Sequence, residues 1–321
     1  MRLDSVCSIP LEEFLATRLA FTPDGQHLVI GHRSLTQYQI LSGKTVRTFP
    51  FEAFAGAIDF SPDGRYLGCV NADDRQPQSR GLAKIFDTET GSELWRQETA
   101  RPIETGCFIQ DRDGLAFLYR DTGCLAGVRV PSFEPLPPVE LPDWNLRELT
   151  ANGESLILFG QDREPTVCQI EGAALNYYAF KVGTLDYPAN GRARVRKVAV
   201  GAGQSKLSPG GRLLAIEWID FAAGAHVLSL IAMETGAEGR LTLPVDSVPA
   251  FAFSDDGGQF LCLVDDEESG GGLLRLWETR TMKLLGRTPF PSHYHTLALH
   301  WPTRRLAAIG GGRCDIGLIQ I

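Results

Sequence analysis

The sequence lacks the marks of catalysis, export and membrane insertion. No apolar run approaches the ~18 uncharged residues a membrane helix needs, so no membrane partner is expected. The start, Met1-Arg2-Leu3-Asp4-Ser5-Val6-Cys7, has an early acid and no apolar core, so it does not read as a secretory leader. No Gly-x-Ser-x-Gly, Walker loop or His-Glu-x-x-His occurs, and Gly310-Gly311-Gly312 has no following Lys-Ser/Thr. No cofactor is therefore expected. An excess of basic charge is also missing: 31 Lys and Arg stand against 39 Asp and Glu, a formal net of −8. That balance disfavours broad nucleic-acid binding.

The seven cysteines, at 7, 69, 107, 124, 168, 262 and 314, contain no Cys-x-x-Cys pair. A zinc ribbon and a thioredoxin-type motif are thereby excluded. Their odd number and irregular spacing argue against a disulfide framework and for a reducing, cytoplasmic setting. Most sit in apolar runs such as Leu67-Gly68-Cys69-Val70, where cysteine acts as a small buried hydrophobe.

What the chain does have is glycine and proline, 34 and 19 of them, arranged in a repeat. Phe21-Thr22-Pro23-Asp24-Gly25 returns as Phe60-Ser61-Pro62-Asp63-Gly64, Leu207-Ser208-Pro209-Gly210-Gly211 and Phe253-Ser254-Asp255-Asp256-Gly257. Weaker copies surround Asp113, Asn152 and Thr303. Anchored on the position of Asp24, the copies fall at 24, 63, 113, 152, 210, 256 and 303, a mean spacing of 46.5. Pro fixes φ at the first corner of a turn and Gly takes the left-handed position, so each phrase is a hairpin between two strands. A second turn follows, as in Phe86-Asp87-Thr88-Glu89-Thr90-Gly91 and Trp277-Glu278-Thr279-Arg280. Four short antiparallel strands per unit, repeated, is the pattern of a β-propeller.

The expected fold is therefore all-β: a single domain over residues 1–321, seven blades of four antiparallel strands. The chain ends in the third strand of the seventh unit, Cys314 to Ile321. The N-terminal strand near Val6-Cys7-Ser8-Ile9 is expected to close the last blade and hide its edge.

The Ser-Pro-Asp-Gly turns and the pairs Phe86-Asp87 and Trp277-Glu278 resemble the WD-repeat family of β-propellers, in the degenerate form common in bacteria. The resemblance covers the whole chain. It implies a rigid scaffold that binds protein partners through loops on one face. The family's opening Gly-His dipeptide is absent, so apolar packing between sheets is expected to carry the blades.

Departures from the repeat mark candidate contacts. The longest spacing, 58 residues, separates units four and five and contains Gly191-Arg192-Ala193-Arg194-Val195-Arg196-Lys197. Arg192, Arg194 and Arg196 alternate, so a strand would carry them on one face. The segment reads as a protruding basic hairpin for an acidic partner, or as a long outer strand. Asp265-Asp266-Glu267-Glu268 occupies the loop between the second and third strands of unit six. His293 and His295 precede the first strand of unit seven and, with His32 or the acids of unit six, could meet a metal. No metal is expected, because packing or surface roles suit those histidines better. The Pro-rich stretch Pro131 to Trp144 is expected to be irregular or to lie at a sheet edge.

The functional expectation is a non-catalytic protein-binding scaffold that contacts its partner through Arg192, Arg194, Arg196, Lys197, Asp265, Asp266, Glu267, Glu268, His293 and His295. The alternative is a propeller enzyme, hydrolase or lactonase-like, with polar groups converging at the central axis.

Overall fold

The computed structural model describes residues 1–11, 18–31, 34–71, 80–100, 103–109, 114–119, 124–140, 145–152, 155–161, 166–170, 173–186, 194–201, 205–208, 212–220, 225–232, 235, 237–243, 250–254, 256–266, 271–290, 294–310 and 312–320. For 104, 118–119, 140, the strands within 145–207, and 216–220, 225–226, 241–243, 265–266, 271 and 295, it describes the backbone alone.

Among these residues there is no helix, and the strands form seven antiparallel sheets. Six sheets have four strands and the fourth has five. In the first six, the strands follow one another outwards in chain order, apart from the extra strand of the fourth.

The repeated turn explains why each sheet begins as it does. In the second sheet the Ser61 hydroxyl donates to Asp63 Oδ1 at 2.6 Å and accepts from the Tyr66 N–H at 2.9 Å. Asp63 Oδ1 also accepts the Arg65 N–H at 3.0 Å, and Gly64 sits at φ 73°. A side chain at that φ meets its own carbonyl, so glycine relieves the strain. Thr22 with Asp24 and Ser254 with Asp256 repeat the arrangement. A threonine in the next turn ties the two hairpins together. The Thr88 hydroxyl donates to Gly64 O and that of Thr279 to Gly257 O, each at 2.7 Å.

Sheets pack face to face on apolar residues. Leu67 and Phe86 of the second sheet meet Val29, Leu35 and Phe49 of the first. Phe260 and Cys262 of the sixth meet Leu228 and Leu230 of the fifth. Each fully buried large side chain contributes roughly 1.5–3 kcal/mol. Of the six cysteines with described side chains, Cys69, Cys107, Cys262 and Cys314 are buried. Burial pushes the Cys262 thiol up to about 12, which suits packing rather than nucleophilic chemistry.

The N-terminal strand Arg2–Pro10 pairs with Arg313–Gln320, from Arg2 opposite Gln320 to Pro10 opposite Arg313. It thereby becomes the outer strand of the seventh sheet, as its sequence position suggests. The seventh sheet packs on the first through Ile9, Ile309, Ile316, Leu28 and Ile30. His300 joins the same two sheets, with Nε2 3.1 Å from Pro23 O and Nδ1 2.7 Å from Thr303 Oγ1.

The fourth sheet departs from expectation. Its third strand, Ala173–Asp186, runs 14 residues without a turn. The outer half pairs with Ser155–Gln161 and the preceding half forms a hairpin with Thr166–Ile170. The insertion therefore lies inside the fourth sheet, between its second and third strands, and not between units four and five. Arg194–Gly201 is the outer strand of that sheet, so over Arg194 to Lys197 the basic segment has the backbone of an outer strand, while residues 191–193 lie outside the described residues. Pro135–Glu140 is the outermost strand of the third sheet, the edge position that its prolines favour.

Candidate partner-binding surfaces

Strand direction sorts the candidate residues. Each sheet hands the chain to the next by a connection from its outer strand to the next inner strand. The loops between second and third strands open at that same end, the connection end. The Pro-Asp-Gly turns and the loops between third and fourth strands lie at the other, the turn end.

Asp265 and Asp266 close the strand Gln259–Asp266, opposite Gly272 and Gly271, at the connection end. His295 lies one residue into Tyr294–His300, also at the connection end of the neighbouring seventh sheet. Sequence-distant acids and histidine are thus brought to one end of adjacent sheets. Arg194 opens the strand Arg194–Gly201 at the turn end, opposite Thr184, with Arg196 opposite Val182 and Lys197 opposite Lys181. A bulge beside Lys181 shifts the alternation there. Arg194 and the acids Asp265 and Asp266 thus lie at opposite ends of their strands, while Arg196 and Lys197 lie further along the outer strand. Arg192, Glu267, Glu268, His293 and His32 lie outside the described residues. Among the described residues no group of three His, Cys, Asp or Glu could hold a metal.

The inner strands were the place to look for an axial site. Their described residues are mostly apolar or small: Leu19, Ala20 and Phe21, then Ala55 to Ile58, then Ala250 to Phe253. Among the inner-strand residues whose side chains are described, two carry a charge; Glu104, Arg147, Glu148 and Lys206 also lie on inner strands, with the backbone alone described. The Arg18 guanidinium donates to Gly56 O, joining the first two sheets. Asp59 accepts the Phe108 N–H at 2.7 Å and the Phe60 N–H at 3.0 Å, joining the second and third. Burial of its carboxylate pushes Asp59 up to about 6, against the two N–H bonds that favour the charged form, although the residue as a whole is only partly covered. Arg18 lies at the connection end and Asp59 near the turn end, so they do not converge on one reacting position.

A charged cluster that sequence reasoning missed ties the outer part of the second sheet to the connection that enters it from the first. Lys84, in the third strand Gly81–Asp87, is fully buried. Its ammonium bonds Glu93 at 2.7 Å, Glu52 at 2.8 Å and the Pro50 carbonyl at 2.9 Å. Arg96, directly opposite Lys84 in the outer strand, pairs with Glu98 and reaches Glu52 at 3.5 Å. The Lys84 hydrogen bond holds the Glu52 carboxyl below its usual range, against burial. The available signal was a lysine inside the apolar run Leu82-Ala83-Lys84-Ile85-Phe86. At the connection end of the seventh sheet, Asp315 accepts from Tyr294 and lies 3.0 Å from Arg313.

No protein-family model matches the chain. No curated protein matches it in sequence. Solved structures do match in shape. The β-propeller domain of Cps50 (Swd1) from Myceliophteria thermophila is 15% identical, with a TM-score of 0.71 over 99% of this chain and 100% of that one. The WD40 repeats of RRP9 are 14% identical, with a TM-score of 0.70 over 99% and 100%. Hydrazine synthase of Kuenenia stuttgartiensis is 13% identical, with a TM-score of 0.69 over 98% and 97%. At these identities the likeness establishes the fold alone: the chain is an all-β propeller of the kind WD40 repeats build. No helix among the described residues is long and apolar enough to cross a membrane.

Proposed function

We propose that the chain is one domain, a seven-bladed WD-repeat-like propeller that binds a protein partner and catalyses no reaction. The seven sheets are its blades, and the pairing of Arg2–Pro10 with Arg313–Gln320 is its closure. The observation that carries the reading is the division of labour within the molecule. Apolar residues fill the sheet interfaces and most described inner-strand positions, while the candidate charges of sheets four and six lie at strand ends and on an outer strand.

The connection end of blades six and seven, with Asp265, Asp266 and His295, and the outer strand with Arg194, Arg196 and Lys197 are two separate contact surfaces. A partner that uses one does not need the other. An axial enzyme site draws no support from Arg18 and Asp59, since each is engaged with a backbone group of the adjacent sheet.

Affinity capture from the source cell, compared across charge-reversal variants, tests the reading. Either Asp265→Lys with Asp266→Lys, or Arg194→Glu with Arg196→Glu and Lys197→Glu, should abolish capture of a specific partner and leave the far-ultraviolet spectrum unchanged. Equal capture by the parent and both variants would discard these surfaces.

A further inference from the structure

The second and sixth sheets carry the same pair of cations at the same place. In the second, Lys84 of the third strand stands directly opposite Arg96 of the fourth. In the sixth, Arg275 of Gly271–Glu278 stands directly opposite Arg287 of Lys283–Phe290. A bulge follows one residue further along the third strand in both. Like charges facing each other across a sheet repel unless something neutralises them.

In the second sheet three carboxylates do so: Glu93, Glu98 and Glu52. Glu93 lies opposite Phe86 and Glu98 opposite Leu82. The matching positions of the sixth sheet hold Leu284, opposite Trp277, and Pro289, opposite Leu273. Two of the three acids are therefore replaced by apolar residues. By sequence position the third has its counterpart in Asp246, which lies outside the described residues. No acidic partner of Arg275 or Arg287 occurs among the described residues, and Arg275 Nε is buried without a hydrogen-bond acceptor. Arg287 is exposed. Trp277 and Leu273, on the same face as Arg275, pack on the fifth sheet, so the cation pair lies on the fifth-sheet side of the blade.

We propose that Arg275 and Arg287 form a binding site for the carboxylates of an acidic peptide segment of a partner protein, which take the places that Glu93 and Glu98 fill in the second sheet. Guanidinium groups suit this task because each offers paired N–H donors in a fork that matches a carboxylate. The site is separate from the two surfaces above and does not rest on them.

The test uses the full chain carrying Arg194→Gln, Arg196→Gln and Lys197→Gln, so that the basic outer strand of the fourth sheet cannot contribute. A fluorescein-labelled oligoglutamate peptide is titrated by anisotropy at low ionic strength. Arg287→Gln should weaken binding about tenfold, the loss of one charge-assisted contact. Leu284→Glu, which restores an internal acid at an exposed position, should weaken it as much and raise the melting temperature. Arg65→Gln should change nothing. Equal affinity in the background, Arg287→Gln and Leu284→Glu proteins would overturn the site. Displacement of the peptide by an equal concentration of inorganic phosphate would overturn the peptide assignment in favour of a small-anion site.

Discussion

Replacing Lys84 should cost the protein less than replacing the acids around it. Lys84→Met keeps most of the side-chain length in a pocket where the lysine side chain is 0% exposed. It removes an ammonium whose desolvation costs several kcal/mol. The carboxylates left behind are 59% exposed at Glu52 and 31% at Glu93, so water can solvate them. The Pro50 carbonyl loses a 2.9 Å bond, a cost of about 1 kcal/mol. The net should lie between neutral and about 2 kcal/mol more stable. Changing Glu52 and Glu93 together to Gln leaves the ammonium buried without a counter-charge, and should cost about 3–5 kcal/mol. Urea unfolding followed by circular dichroism at pH 7 measures both. A pH series adds a sign. The Glu52 carboxyl is held below its usual range in the folded chain. Its contribution is therefore present above the unfolded carboxyl pKa and lost as pH falls through the folded one. That acid-side loss should shrink in Lys84→Met. A Lys84→Met protein less stable than the double glutamine variant would refute the reasoning.

Asp59 should behave with the opposite sign. Its folded pKa of about 6 lies above its ordinary 3.8, so the stability it contributes is full below the latter and lost as pH rises through the former. Asp59→Asn, which cannot ionise, should gain on the parent between about pH 4 and pH 7, by up to about 2 kcal/mol. Denaturation midpoints at those two pH values check this, and an unchanging difference would reject it. Two glycines with positive φ should respond unequally to alanine. At Gly91, φ 77°, an added Cβ comes no closer than 3.6 Å to Arg47 Cδ, so only the backbone cost of about 1–2 kcal/mol applies. At Gly25, φ 65°, the Cβ would collide with the His300 ring and lie 2.9 Å from Thr303 Oγ1. Gly25→Ala should therefore melt well below Gly91→Ala, and equal melting temperatures would show that His300 yields freely.

The parts of this fold that could be read from sequence are those fixed by local chemistry. Ser-Pro-Asp-Gly specifies its hairpin within six residues, because the Ser61 hydroxyl and Asp63 carboxylate find their donors at Arg65 and Tyr66. Counting strands then left the last sheet one short, and Arg2–Pro10 was the strand available to fill it. The fourth sheet defeated the same method. The long spacing was read as an insertion between units, yet Gly183 lies inside the strand Ala173–Asp186, paired with Leu158 on one side and Val195 on the other. An isolated glycine in a strand can mark close backbone approach rather than a turn. The charge arrangement was harder still. Lys84 draws its neutralising groups from Glu52, which precedes it by 32 residues, and from Glu93 across a bulge. Arg275 has the same local sequence setting and the same register, but Leu284 stands where the second sheet has Glu93. The contrast between a cation pair neutralised by acids and one with no acidic partner among the described residues exists only once two sheets can be aligned strand by strand. In a repeat fold the blades are controls for one another, and the position where one blade lacks the counter-charges of another is where an outside ligand has most to offer.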